Sequence, residues 1–289
     1  MSELIYREKT EIIRKGLFDV QNEVGLGRDE GVYHRAFCQW LEAAAIPFAS
    51  KPAHHLYVGG EIAYTLFPDV VVWDCITIEL KALSRWLRDD DRVQLFNYLK
   101  RRGDRLGLLV NMGLDRVQVE RFVHDPPGYV VSENWGAWEG AISGKARDVG
   151  LVLHEVLLSI FKEHQTGYGK QVVDQLLGSA FQKAGLSILI NPEGRSAYQG
   201  RDMGVSSLDC IVVGKSILLT CTAWFDTNDF NIYRGLSFMK SLNVPFGLAV
   251  NFGKQKLEIT ALVNQPSSIR GTPLASVGLP SSSNQEYRS

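Results

Sequence analysis

Cysteine is scarce and scattered: Cys38, Cys75, Cys210 and Cys221 stand far apart in 289 residues and form no CxxC pair, which excludes a zinc ribbon. An excess of either charge is also missing. With 31 Lys+Arg against 32 Asp+Glu the net charge is −1, so the chain is no histone-like polycation, and any nucleic-acid contact has to come from a local patch. No window approaches the roughly 18 unbroken apolar residues of a membrane span. The opening Met1-Ser2-Glu3-Leu4-Ile5-Tyr6-Arg7 lacks the apolar stretch of a signal peptide. The chain is therefore expected in the cytoplasm, away from membranes, with Cys75 and Cys210 as small buried hydrophobes in apolar, strand-like runs. Neither a GxxxxGKS phosphate loop nor a Gly-x-Ser-x-Gly elbow occurs, which argues against an ATPase engine or a serine hydrolase.

What is present is an ordinary globular composition, 45% hydrophobic and 22% charged, long enough for two domains. Helical spacing of Ile12, Ile13, Leu17, Val20 and Val24 predicts a helix that stops at Gly25-Leu26-Gly27. A second helix is expected over Asp29 to Ala45. Strand-like segments follow at Ala53–Val58, Glu61–Leu66, Asp69–Val72 and Ile76–Leu83, with Gly59-Gly60 as a hairpin signal. A helix from Asp89 to Arg101 then leads to strands at Leu106–Asn111 and Arg116–Phe122. The plan is mixed α/β.

The second half repeats this plan. Gly167-Tyr168-Gly169, Ala180-Phe181, Asp209 to Val213 and Gly247 to Gly253 follow their first-half counterparts in order, about 140 residues on. The counterparts are Gly25-Leu26-Gly27, Ala36-Phe37, Asp69 to Trp73 and Gly107 to Gly113. An internal duplication is the natural reading. The expected divisions are a first domain over 1–125, a linker over 126–147, a second copy over 148–265 and a disordered tail over 266–289.

The informative constellation lies in the first half. On a strand, Glu79 and Lys81 project from one face and Ile78 and Leu80 from the other. A three-residue loop at Trp73-Asp74-Cys75 would set Asp69 opposite Glu79 on that face. Adjacent carboxylates raise each other's pKa, and a divalent cation removes the conflict. Oxygen ligands from Asp69, Glu79 and the Leu80 carbonyl, with water and a substrate phosphate, suit Mg²⁺, or Mn²⁺ in its place. Lys81 would hold the nucleophile or a phosphoryl oxygen. Gln94 and Tyr98, four apart on the next helix, share a face from which to position the phosphate, and Glu30 would reach the metal through water. Arg85, Arg88, Arg92, Lys100, Arg101, Arg102 and Arg105 form the densest basic cluster, partly cancelled by Asp89-Asp90-Asp91.

These residues carry a resemblance. Gly27-Arg28-Asp29-Glu30-Gly31-Val32-Tyr33 resembles the signature of the GxxExxY proteins, which are placed in the PD-(D/E)xK nuclease superfamily. The likeness runs on through Pro68-Asp69, Ile78 to Ala82, Gln94 to Lys100 and Gly107 to Gly113, and covers about residues 5 to 123. It implies a restriction-endonuclease-like fold, a mixed sheet flanked by helices. It further implies Mg²⁺-dependent phosphodiester hydrolysis of nucleic acid, with DNA favoured over RNA. A non-catalytic nucleic-acid-binding or regulatory or scaffold protein that kept the fold is the alternative.

The second copy has lost the motif. Thr220-Cys221-Thr222 replaces Glu79-Leu80-Lys81, Arg234 stands for Gln94 and Phe238 for Tyr98. A two-residue turn at Gly214-Lys215 is expected to hold Asp209 opposite Thr220, and Asp174 to correspond to Glu30. This half is expected to be non-catalytic and to pair with the first within the chain, unless a homodimer supplies the pairing instead.

Overall fold

Helix α1 (Arg7–Val24) ends at Gly25, whose φ of 78° turns the chain while its N–H returns to the Gln21 carbonyl. Helix α2 (Glu30–Ala43) starts at Asp29, whose carboxylate accepts from the Val32 N–H at 2.9 Å. Strands β1 (Phe48–Ser50), β2 (His54–Val58), β3 (Glu61–Leu66), β4 (Val70–Val72) and β5 (Ile76–Lys81) follow. Helix α3 (Asp89–Arg102) has Asp89, Asp90 and Asp91 in its first turn and Lys100, Arg101 and Arg102 in its last, the arrangement its dipole favours. Strands β6 (Leu106–Asn111) and β7 (Gln118–Val123) complete the half. This computed structural model describes residues 5–125 and 128–264.

The first sheet runs β1-β4-β5-β6-β7, parallel only between β5 and β6, while β2 and β3 form a separate hairpin. One face of the sheet packs on α1 and α2 through Ile13, Leu17, Tyr33, Phe37 and Leu41 against Ile76, Ile78 and Leu80. The other face meets α3 through Leu95, Leu99 and Leu109. Gly107 permits that approach, since a Cβ there would lie 2.9 Å from methyl carbons of Leu95 and Leu99. The result is the expected α/β architecture, a mixed sheet between helical layers.

The element order then recurs. Strand β8 (Val130–Asn134), a single 3-10 turn at Gly136–Trp138 and α4 (Gly144–His164) lead to α5 (Lys170–Lys183), β9 (Ile188–Ile190), β10 (Glu193–Tyr198) and β11 (Arg201–Ser207). After them come β12 (Ile211–Val213), β13 (Ile217–Ala223), α6 (Asp229–Leu242), β14 (Phe246–Phe252) and β15 (Lys256–Val263). The second sheet runs β8-β15-β14-β13-β12-β9, and β10 and β11 form its hairpin. The segment read as a linker is therefore partly built in, because β8 pairs in parallel with β15. Residues 126–127 and the expected tail lie outside the described residues. Among the described residues no helix is long and apolar enough to cross a membrane.

The halves share a core. Leu56, Val58 and Leu66 of the β2–β3 hairpin are buried with Leu176, Phe181 and Val173 of the second half. Polar contacts fix the seam: Gly169 N–H donates to Asn97 at 2.8 Å, and the Lys183 ammonium to the Gly59 carbonyl at 2.8 Å.

Two alignments within the second half are corrected. The loop there has three residues, Gly214-Lys215-Ser216, because Val213 pairs with Ile217 as Val72 pairs with Ile76. Extending that register by two steps from Ile211↔Leu219 carries Asp209 to Cys221, and it is Cys210 that faces Thr220. The Cys210 carbonyl also accepts from Asn191 N–H at 2.9 Å, just as the Asp69 carbonyl accepts from Lys51 N–H at 3.0 Å. Asp209 is thus one residue out, and a tight turn in which Cys210 N–H bonds the Leu208 carbonyl absorbs the difference. Likewise α2 and α5 each have 14 residues, and Lys170, not Asp174, opens α5 where Glu30 opens α2. On the same count Phe37 corresponds to Leu177 and not to Phe181.

Candidate active site

The β4–β5 hairpin sets the first two acids. Val72↔Ile76 and Val70↔Ile78 pair across the loop, where Trp73 and Asp74 take φ of 52° and 53°, so Asp69 lies one step beyond the ladder, opposite Glu79. Its carboxylate accepts from the Leu80 N–H at 2.9 Å, and its carbonyl is held by the Lys51 N–H and the His34 ring at 3.1 Å. The side chains of Ile78 and Leu80 enter the α1–α2 core, which leaves Thr77, Glu79 and Lys81 on the α3 side.

Glu79 is 1% exposed. Its Oε1 accepts from Lys81 Nζ at 2.5 Å, and its Oε2 is buried without a partner among the described residues. Burial first, and the Asp69 charge second, push its carboxyl up to about 8 against the pull of Lys81. Burial also pulls the Lys81 ammonium down, yet Glu79, Glu30 and Asp69 outweigh it and hold its pKa above the usual value.

Lys81 is the hub. Besides Glu79 it donates to Gln94 Oε1 at 3.0 Å and lies 4.0 Å from Glu30 Oε2. Gln94 in turn donates to the Tyr98 hydroxyl at 2.6 Å, a pair set one helical turn apart on α3. Tyr98 is buried, and desolvation keeps its hydroxyl protonated. Glu30, at the exposed start of α2, has its pKa raised by burial and lowered by Lys81. Six expected residues, Glu30, Asp69, Glu79, Lys81, Gln94 and Tyr98, thus meet at one end of β5, and Leu80 contributes main chain there.

The acids do not all converge. Among the described residues no group of three or more His, Cys, Asp or Glu side chains is arranged to hold one metal ion. Glu30 leans on the Lys81 ammonium, and the compact acidic pair is Asp69 with Glu79. The Glu79–Asp69 conflict and the orphaned Oε2 match a divalent cation held by two carboxylates, with hard oxygen donors throughout.

Residues 7–122 match the family model of the PD-(D/E)XK nuclease superfamily. A solved structure described as "Crystal structure of SSO0001" is similar over 41% of this chain and 78% of its own, at 15% identity and a TM-score of 0.27. No curated protein matches the chain.

Three residues around this site escaped the sequence reading. His34, one turn after Glu30, also meets Ser50 Oγ at 3.2 Å and so ties α2 to the carbonyl of Asp69. Lys51 Nζ approaches the Asp69 carboxylate at 3.9 Å. Asn111, fully buried, accepts from Leu83 and Gly113 N–H and donates to the carbonyls of Leu83 and Arg85, closing the exit of β5. The Val-Asn-x-Gly shared by Val110–Gly113 and Val250–Gly253 was the available signal, since Asn251 donates in the same manner to Phe225.

The basic cluster of the first half is largely neutralised. Arg85 pairs with Asp91, Arg92 with Glu120 and Asp89, Arg102 with Asp104 and Asp74, and Arg105 with Asp125. It offers much less open positive surface than its count suggested.

In the second half, cations fill the corresponding place. Lys170 donates to Asp174 at 2.7 Å and to Asp209 at 3.3 Å. Arg234, at the Gln94 position on α6, donates to Asp209 at 2.8 Å and to the Cys221 carbonyl at 3.0 Å. Thr220 and Thr222 are buried with no carboxylate on the strand.

Proposed function

We propose that the first half is a divalent-metal-dependent nuclease acting on nucleic acid, DNA in preference to RNA. The observation that carries this reading is the chain Glu79–Lys81–Gln94–Tyr98 with Asp69 on the adjoining strand and one buried Glu79 oxygen left without a partner. Asp69, Glu79 and the Leu80 carbonyl would hold Mg²⁺ or Mn²⁺, and Glu30 would support it through water. Such an ion lowers the pKa of bound water and offsets charge building on the phosphate.

The side chains have separate tasks. Lys81 stays charged, so it binds a phosphoryl oxygen and does not serve as the base. Gln94 and Tyr98 hold that ammonium in place and face the incoming phosphate. Asn111 keeps the end of β5 rigid beneath them. We read the second half as a non-catalytic duplicate over residues 148–265, supported by the recurring element order, and as the intramolecular partner of the first. In it, the Lys170 and Arg234 charges do for Asp174 and Asp209 what an ion would do for Asp69 and Glu79.

The test is incubation of the full chain with single-stranded, duplex and RNA substrates in Mg²⁺ or Mn²⁺. Cleavage that disappears in chelator and in Lys81→Ala supports the enzyme. A second reading, a nucleic-acid-binding protein without turnover, is favoured by one observation: Glu30 contacts Lys81, and no three-acid group is assembled among the described residues. Binding without cleavage, unaltered by Lys81→Ala, would establish it.

A further inference from the structure

A cavity of about 370 Å³ lies between the halves, lined by Phe96 and Lys100 of α3, by Tyr129 before β8, by Trp224 after β13 and by Lys254 between β14 and β15. That volume falls in the range of roughly 300–1,000 Å³ typical of small-ligand sites. Residues 96 and 100 share one side of α3, distinct from the side carrying Gln94 and Tyr98, so this cavity is separate from the candidate active site.

Its chemistry is unsettled without a ligand. The Lys100 ammonium faces the Tyr129 and Tyr168 rings at 4.6 and 4.9 Å and donates to the Tyr129 hydroxyl at 3.3 Å. No carboxylate among the described residues pairs with it, and burial alone pulls its pKa down to about 8. Asp125, which also lines the cavity, is exposed and engaged by Arg105 at 3.1 Å. His124 is held neutral by burial and by Lys100, so it brings no negative charge. Lys254 adds a second ammonium, 5.9 Å from the Trp224 ring and 3.5 Å from the exposed Asp226. Trp224 Nε1 is a further donor, buried and without a partner among the described residues. Its ring and Phe96, with centroids 5.2 Å apart, make an aromatic wall. A half-buried cation with no carboxylate partner and an orphaned donor beside aromatic faces suit a ligand with both an anion and a planar ring.

We propose that this cavity binds a nucleotide, its phosphate on Lys100 and Lys254 and its base against the Trp224–Phe96 wall. The ligand is either a free nucleotide or one unit of a nucleic-acid strand, and both present the same chemistry.

The full chain in chelator is titrated calorimetrically with a nucleoside 5′-monophosphate, with Trp fluorescence followed in parallel. The monophosphate binds saturably and quenches fluorescence, while the nucleoside or inorganic phosphate alone binds about tenfold more weakly or less. Lys100→Met weakens the monophosphate about thirtyfold, as expected for losing one side of a buried charge contact. It also raises the melting temperature of the unliganded protein, because a half-buried cation with no carboxylate partner among the described residues is removed. Lys254→Met, at an exposed position, weakens binding in the same direction. A single-stranded oligonucleotide that displaces the monophosphate assigns the site to a strand, and failure to displace it assigns the site to a free nucleotide. No binding of the monophosphate, equal affinity for phosphate alone, or undiminished binding by Lys100→Met overturns the proposal. Chelator keeps the readout independent of cleavage, so a chain that lacks nuclease activity still tests this site.

Discussion

Glu79 is the residue under greatest electrostatic load. Its carboxyl rises from the ordinary 4.5 to about 8 because burial and Asp69 disfavour its charge. The folded state therefore binds a proton that the unfolded chain releases, and the stability this gives is full below about 4.5 and lost as pH climbs to about 8. In chelator, Glu79→Gln has no such loss, so the melting-temperature advantage of the variant over the native protein should widen from pH 5 to pH 8. A constant difference would contradict it. Mg²⁺ should raise the native melting temperature at pH 8 and leave that of Glu79→Gln unmoved. Lys81→Ala should lower turnover by about two orders of magnitude or more, in line with the loss of one preorganised donor to developing charge. Much of this was legible beforehand: alternation along Ile78-Glu79-Leu80-Lys81 and the three-residue loop suffice to set Asp69 opposite Glu79. The contact of Glu30 with Lys81 was not, because a first-turn acid gives no sign in sequence of which neighbour it will meet.

At the scale of elements, the end of β5 depends on Asn111 as much as on the acids. Its amide satisfies the main chain at Leu83, Arg85 and Gly113, and no water-exposed alternative exists for a fully buried group. Asn111→Ala should cost about 2 kcal/mol, measured by denaturant unfolding, and should lower kcat more than it raises KM because Lys81 loses its footing. Long amphipathic helices and buried strands followed from periodicity. Strands β1 and β9, three residues each, were too short to carry a period, and the first turns of α4 were hidden by Gly144 and Gly150. The displacement of Asp209 has a similar cause. Matching acid to acid looked natural in the sequence, but strand pairing follows the apolar Val212–Val213 and Ile217–Leu219 register.

For the whole molecule, the shared core decides how it unfolds. The β2–β3 hairpin stands apart from the first sheet and is buried with α5, so one core cluster is built from both halves, while the α1–α2 cluster belongs to the first half alone. Leu56→Ala should cost about 2–5 kcal/mol and shift one cooperative transition seen by both calorimetry and fluorescence. Two separated transitions would show that the halves unfold independently. This packing was not legible beforehand, since a hairpin signal such as Gly59-Gly60 says how two strands turn and nothing about the surface they will cover.

The salt bridges of Lys170 and Arg234 have one more consequence. A positive charge on a side chain cannot diffuse away, so the second half carries a tethered counter-ion for Asp174 and Asp209. The first half, on the reading proposed above, would draw the same compensation for Asp69 and Glu79 from a dissolved ion.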